Sequence, residues 1–213
     1  MTGTEGTGRV VVLNGAPRSG KSSIVAAMQD RLPGLWVSLG VDVQQAMLPA
    51  ALRPGIGLRP GGERPDLEPL VAALYAALYG SVAAHARQGL DVAVDVGHHD
   101  AFSRPLGILA ASARRLAGLP ALFVGVRCPL DVIVARRREA QPGREGLYLA
   151  TAAGEPVPPP VLAWQREVHR PGLYDLEVDT SALSPEACAD LIGRALVEGQ
   201  GGPSAFERLA GMG

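Results

Sequence analysis

The sequence predicts an α/β fold in three layers, a five-stranded parallel sheet flanked by helices. Three observations carry that prediction. Five short runs of β-branched and other apolar residues alternate with stretches of helical apolar spacing, the pattern of strand–helix–strand crossovers. The first run, Val10 to Asn14, opens directly into Gly15-Ala16-Pro17-Arg18-Ser19-Gly20-Lys21-Ser22-Ser23, and a helical stretch follows at once. That is a phosphate-binding loop in the strand–turn–helix context it requires. The length of 213 residues suits one such domain, expected over 9–198 between a disordered N-terminus (1–8) and a flexible tail (199–213).

Within the loop, glycines at both ends let the backbone wrap closely enough for its N–H groups to point at phosphate oxygens. The helix dipole adds to the attraction, so residues 15–23 form the expected nucleotide-binding set. Lys21 should reach the β- and γ-phosphates, and the Ser22 hydroxyl should hold Mg²⁺. The chain has nineteen Arg and one Lys, and that Lys is Lys21. A coding bias toward Arg explains the scarcity. It does not explain the position, where a compact, flexible ammonium is needed.

Composition narrows the class. Aromatic residues make up only 4% of the chain, so the core must be built from Ala, Val and Leu. A net charge of −1 argues against a nucleic-acid footprint or a polybasic membrane surface. Cys128 and Cys188 make neither a disulfide framework nor a metal site, which suits a reduced compartment. The N-terminus lacks a signal-peptide core and no apolar run reaches transmembrane length, so a soluble cytoplasmic protein is expected.

In chain order, the first helix should run from Lys21 to near Leu32, where Pro33-Gly34 breaks it. Leu35 to Leu39 reads as the second strand, and Gly40-Val41-Asp42 turns out of its carboxyl end. Ligands of open parallel sheets bind at that end, so Asp42 should project toward the phosphate loop; helix N-capping is its other reading. Val43 to Ala51 can form a short helix. Arg53 to Pro65, dense in Gly, Pro and Arg, reads equally as a substrate-facing flap or a disordered loop. Asp66 to Gln88 has the strongest helical spacing, through Leu70, Leu74, Leu78 and Val82, and Tyr75 and Tyr79 read as packing.

Gly89 to Gly97 is a strand that delivers Asp95, an acid placed for a second Mg²⁺ contact. His98 and His99 read as loop residues rather than metal ligands. A helix over Ser103–Leu116, a strand over Ala121–Val126 and a helix over Asp131–Ala140 follow. The last carries Arg136, Arg137 and Arg138, with Arg144 beyond. It reads as the start of an arginine lid over about 136–160, a solvated face being the alternative. Neighbours on a helix are turned about 100° apart, so the three cannot all face one site. Ala152 to Pro160 should be mobile, Leu162 to His169 helical, and Tyr174 to Thr180 the last strand. Ser184 to Val197 closes the chain as a helix with Pro185 in its first turn.

The N-terminal phosphate loop, alternating strands and arginine lid resemble the nucleoside-monophosphate-kinase branch of P-loop proteins. More narrowly, Leu13-Asn14-Gly15, Gly40-Val41-Asp42 and Val124-Gly125-Val126-Arg127-Cys128 are similar to the chloramphenicol phosphotransferase family of antibiotic kinases. The most specific stretch is Val168-His169-Arg170-Pro171-Gly172-Leu173-Tyr174-Asp175-Leu176-Glu177-Val178-Asp179-Thr180, and the similarity spans about residues 9–197. The resemblance implies ATP as donor and Asp42 as base for an acceptor hydroxyl. Lys21, Arg136 and Arg138 are the candidate catalytic cations, with Arg136 also a nucleotide contact, and Ser22 and Asp95 the metal set. Residues 43–47, 53–65, the Gly97-His98-His99 loop and 141–160 depart from the family pattern. These are where an acceptor would be selected, so the reaction class carries over and the acceptor's identity does not.

The expectation is therefore an ATP- and Mg²⁺-dependent kinase acting on a hydroxyl of a small molecule, an antibiotic or other secondary metabolite. Its enzymatic rival is a metabolic kinase for a nucleotide or sugar-like acceptor. An anionic acceptor would need arginines beyond the lid, and Arg53, Arg59 and Arg64 could supply them. The non-enzymatic rival, a silent ATP-binding module, is opposed by the presence of Asp42. A GTPase is excluded, because an Asn-Lys-x-Asp specificity motif cannot be built when Lys21 and Asn14 are the only lysine and asparagine.

Overall fold

A strand buried at every position, as Val10–Asn14 is, belongs at the centre of a sheet covered on both faces. The computed structural model, which describes residues 6–138, 156–199 and 201–212 (side chains of 56 and 57 excepted), places it there as β1. The other strands are β2 (Trp36–Gly40), β3 (Asp91–Val96), β4 (Ala121–Arg127) and β5 (Leu176–Asp179). All pair in parallel, in the order β2-β3-β1-β4-β5. The five-stranded parallel sheet flanked by helices is the architecture the sequence predicts.

The helices are α1 (Lys21–Arg31), α2 (Val41–Ala46), α3 (Glu68–Arg87), α4 (Ile108–Arg115), α5 (Leu130–Arg138), α6 (Pro159–Glu167), α7 (Pro185–Glu198) and α8 (Ala205–Ala210). Side chains alternate across the sheet and so divide the core in two. Val10, Val12, Val92 and Val94 pack with α3, α4 and α8. Val11, Leu13 and Ala93 pack with α1 and α7 on the opposite face. A third cluster, including Ala16, Cys128, Ile133 and Trp164, joins α5 and α6 to the phosphate loop.

Several expectations are corrected. The tail from Gly199 is not wholly flexible, because Ser204 and Glu207 form a capping box that starts α8. Asp175 Oδ1 accepts from the Ala205 N–H at 2.5 Å, and Phe206 packs against Phe123. At the other end, Gly8 is buried and its N–H donates to Ala86 O at 2.7 Å, so the ordered chain begins before residue 9. The buried stripe of α3 is Val71, Tyr75, Leu78, Tyr79 and Val82, shifted from Leu70 and Leu74. By length and hydropathy α3 is long and apolar enough to cross a membrane, contrary to the sequence reading, yet that stripe lies in the core. Arg144 and most of the expected lid lie outside the described residues.

Candidate active site

The carboxyl ends of β1, β2 and β3 meet at one edge of the sheet, and the loops leaving them build the site. After β1, Gly15 is packed so tightly that a Cβ would stand 2.6 Å from Val126 O. Arg18 (φ 74°) and Gly20 (φ 95°) then take left-handed backbone, which folds the loop back onto the start of α1. Lys21 is buried, its Nζ donating to Gly15 O at 2.8 Å and Ala16 O at 3.0 Å. The same nitrogen lies 3.5 Å from Asp95 Oδ1. Ser22 Oγ donates to Asp95 Oδ2 at 2.6 Å.

Asp95 reaches this cluster because of register. It pairs with Leu13 on one side and Gly40 on the other, so it stands between the loop strand and β2. Its carboxylate and the Ser22 hydroxyl form a hard-oxygen pair of the kind Mg²⁺ prefers. Among the described residues the Ser19 hydroxyl, buried in the loop, has no hydrogen-bond partner, an unmet polar group in the phosphate cradle. The residues present therefore fit a metal–triphosphate ligand.

A cleft of about 1110 Å³ runs from this loop to α2 and the 53–59 segment. Asp42 lines it from the first turn of α2, which begins immediately after β2. The cap of α2 is Gly40, with no side-chain cap bond, so Asp42 does not serve as the N-cap. Tyr75 and Tyr79 divide their labour. Tyr79 Oη lies 2.7 Å from His98 Nε2 inside the core, whereas Tyr75 faces the cleft floor and donates to Gly97 O over a long 3.3 Å. Burial, then the charges of Asp95 and Asp42, push the Tyr75 phenol well above its ordinary range, so it stays a neutral donor.

The two histidines are buried and hydrogen-bonded, and neither lines the cleft. Burial lowers His98 to about 3, with His99 adding to the shift, and His98 is held as neutral imidazole. His99 Nε2 lies 2.9 Å from Leu58 O, and its ring packs on Phe102 and Trp164. Among the described residues no group of three or more His, Cys, Asp or Glu is arranged to hold a metal ion.

Of the α5 arginines, Arg136 and Arg137 line the cleft and Arg138 is exposed outside it, as helical geometry requires. Arg136 donates to Thr180 O at 2.6 Å, Thr180 Oγ1 at 3.0 Å and Arg18 O at 3.4 Å. Thr180 Oγ1 in turn donates to Ser19 O at 2.7 Å. The β5 exit is thereby stitched to the phosphate loop, a role for Thr180 that sequence reasoning missed.

Asn14 was missed as well. Its amide donates to Val168 O and Tyr174 Oη, both at 2.8 Å, and its carbonyl accepts from the His98 N–H at 2.6 Å. Tyr174 Oη also lies 2.8 Å from His169 Nδ1, and its ring covers Gly125 so closely that a Cβ would stand 2.7 Å away. Burial, then the charge of Arg127, lowers His169 to about 4. The 168–175 stretch thus locks the loop after β3 and the strands β1 and β4 to one another.

A family model for chloramphenicol phosphotransferase-like proteins matches residues 8–197. The chain belongs to that family. Solved structures share its fold. It is similar to the APS kinase of Mycobacterium tuberculosis in complex with AMPPNP and APS (TM-score 0.60, 23% identity, 91% of this chain and 99% of that one). It is also similar to a sugar kinase from Janibacter sp. (0.58, 18%, 89% and 93%) and to the tunicamycin resistance protein of Deinococcus radiodurans (0.53, 17%, 89% and 95%). No curated protein matches the chain in sequence.

Proposed function

We propose that this chloramphenicol phosphotransferase-like protein is an ATP- and Mg²⁺-dependent kinase that phosphorylates a hydroxyl of a small molecule, an antibiotic or other secondary metabolite. One observation carries the reading: Lys21, Ser22 and Asp95 converge at one end of a cleft whose wall also holds Asp42. In this reading the backbone of residues 15–23 cradles the phosphates. Lys21 leaves the carbonyls of Gly15 and Ala16 to meet β- and γ-oxygens. Ser22 and Asp95 would hold Mg²⁺, which neutralises charge on the transferring group when bound.

Asp42 orients the acceptor hydroxyl and takes its proton. As the acceptor oxygen bonds to the γ-phosphorus, the bond from that phosphorus to the β–γ bridging oxygen breaks, and ADP leaves. Arg136, bonded to Thr180 and Arg18, keeps the loop in register and presents positive charge to the triphosphate. Arg138, exposed outside the cleft, is not assigned a role in this mechanism. The reading is tested by incubating the protein with ATP, Mg²⁺ and a panel of hydroxyl-bearing antibiotics, nucleosides and sugars. A product heavier by one phosphoryl group, formed with stoichiometric ADP, is the expected result. ATP binding with no phosphorylated product from any acceptor would favour the silent module instead.

A further inference from the structure

The acceptor end of the cleft holds a cation that the kinase reading does not use. Arg59 lies on the segment joining α2 to α3, is half-buried, and lines the cleft. Among the described residues it makes no hydrogen bond or ion pair. The two arginines near it in sequence are placed differently. Arg64 holds Asp66 through two bonds of 2.9 and 2.6 Å on the exposed surface, away from the cleft. Arg53 lines the cleft, but its Nε and one Nη donate to Leu48 O at 3.2 Å and Ala46 O at 3.4 Å, leaving its other Nη for a further partner.

Arg59 is presented by anchored backbone. Leu58 O bonds to His99 on one side of it, and on the other Pro60 is buried and the Gly61 N–H donates to Ala101 O at 2.7 Å. Gly62 sits so close to Ser103 that a Cβ would stand 2.6 Å from its amide nitrogen. A half-buried guanidinium without an anion has given up hydration for nothing, and a ligand anion offsets that loss through charge-assisted hydrogen bonds. The triphosphate is not that ligand. Its loop already has Lys21 and Arg136, whereas the Arg59 segment packs on α3 and on the loop after β3. The wall on that side, through Val43, Ala46, Leu58 and Tyr75, is mainly apolar.

We infer that the acceptor is a hydroxyl-bearing organic anion: its carboxylate, phosphate or sulfate pairs with Arg59, assisted by Arg53, and its apolar body lies along Val43, Leu58 and Tyr75. The inference rests on the kinase reading for the hydroxyl end alone.

The test uses the full chain and a set of hydroxyl compounds, each prepared as the carboxylic acid, the neutral methyl ester, and a phosphate or sulfate ester. Binding is measured by thermal shift and calorimetry with the non-hydrolysable analogue AMPPNP and Mg²⁺ present, and turnover separately with ATP. Arg59→Ala, Arg59→Gln and Arg64→Ala are compared with the parent, each first shown to melt at the parent temperature without ligand. Anionic forms should bind at least about tenfold more tightly than their esters, the size of one charge-assisted bond. That preference should vanish in both Arg59 variants and persist in Arg64→Ala. Carboxylates and phosphate or sulfate esters form separate arms, so the preferred anion is read directly. Equal or better binding of the neutral esters, or an anion preference that survives loss of Arg59, overturns the inference. Turnover of neutral alcohols alone would overturn it and leave the kinase reading standing. Anion binding that depends on Arg59 without phosphoryl transfer would do the reverse.

Discussion

Around the phosphate loop almost every polar group is tied to another: Lys21 to two carbonyls, Ser22 to Asp95, Arg136 to Thr180 and Arg18, Thr180 to Ser19. Around α2 the cleft wall is made of one six-residue helix and 3₁₀ turns, and apolar side chains stand in solvent, Val43 at 50% and nearby Met47 at 74% exposed. In the proposed kinase reading, the difference follows from what each end would hold. A triphosphate has one shape and charge, so a rigid backbone cradle on central strands serves it. An acceptor differs from enzyme to enzyme, and short elements on the rim change at little cost to the core. The Asn14 network and the Gly125–Tyr174 contact brace the rigid end.

If that division holds, the largest loss comes from the rigid end. Lys21→Ala deletes a charge aimed at the phosphates, and turnover should fall by about 10³-fold, the upper range for removing one electrostatic contact to a developing charge. Initial-rate kinetics with calorimetric ATP binding would measure it, and a parent-like rate would remove the loop from the mechanism. Next comes Asp42→Asn, where the two ends should separate cleanly. Mg·ATP affinity should stay within about twofold while kcat drops about 10²-fold, as for losing a general base. Asp95→Asn should instead raise the Mg²⁺ concentration needed for half-maximal rate. If the two phenotypes came out exchanged, so would the assignments.

A third prediction concerns the brace between the ends. His98 and His169 are held neutral, with values lowered to about 3 and about 4. An unfolded histidine titrates near 6.5, so below that pH the unfolded chain binds protons that the native one refuses. The stability due to these residues is thus complete above about pH 7 and is lost as pH falls from about 6.5. For fully buried His98 the loss by pH 5.5 should be roughly 1 kcal/mol, with a smaller share from half-exposed His169. Urea unfolding at pH 7.5 and 5.5 measures it. A His98→Asn variant that kept the whole pH dependence would show that it arises from other groups.

How much of this was legible in the sequence follows the same line. The strand, loop and helix of residues 10–31 were readable because a local motif specifies them. So was the placement of Asp95 near the end of β3 and of Asp42 just past the end of β2. The linking residues were not: Asn14 meets Val168 and Tyr174 across more than 150 positions of chain, and no local pattern announces such a bond. The capping box of α8 is a local signal, but the glycines around it outweigh it and suggest a loose tail. Three arginines in the 53–65 stretch look alike in sequence, and only tertiary placement separates Arg59 from Arg64.

The smallest effect tests the floor on which the two ends meet. Tyr75 touches both: its phenol feels the charges of Asp95 and Asp42, and its ring lines the acceptor wall. Its own bond to Gly97 O, at 3.3 Å, is long, and Tyr75→Phe keeps the ring that fills the core, so stability should change by less than about 1 kcal/mol. Because the Tyr75 hydroxyl bonds to Gly97 O and not to the phosphate loop, KM for Mg·ATP should not move. The acceptor should notice, since a neutral donor beside two carboxylates is placed to hold a hydroxyl oxygen while Asp42 takes the proton. A rise of about threefold to tenfold in acceptor KM with nearly unchanged kcat is expected, the cost of one neutral hydrogen bond made equally in ground and transition states. A fall in kcat alone would mean that the bond strengthens during transfer and that Tyr75 belongs with Asp42 in the chemistry. A change in KM for ATP would mean that the floor is shared, and that the division between a rigid donor end and an adaptable acceptor end stops short of the residue joining them.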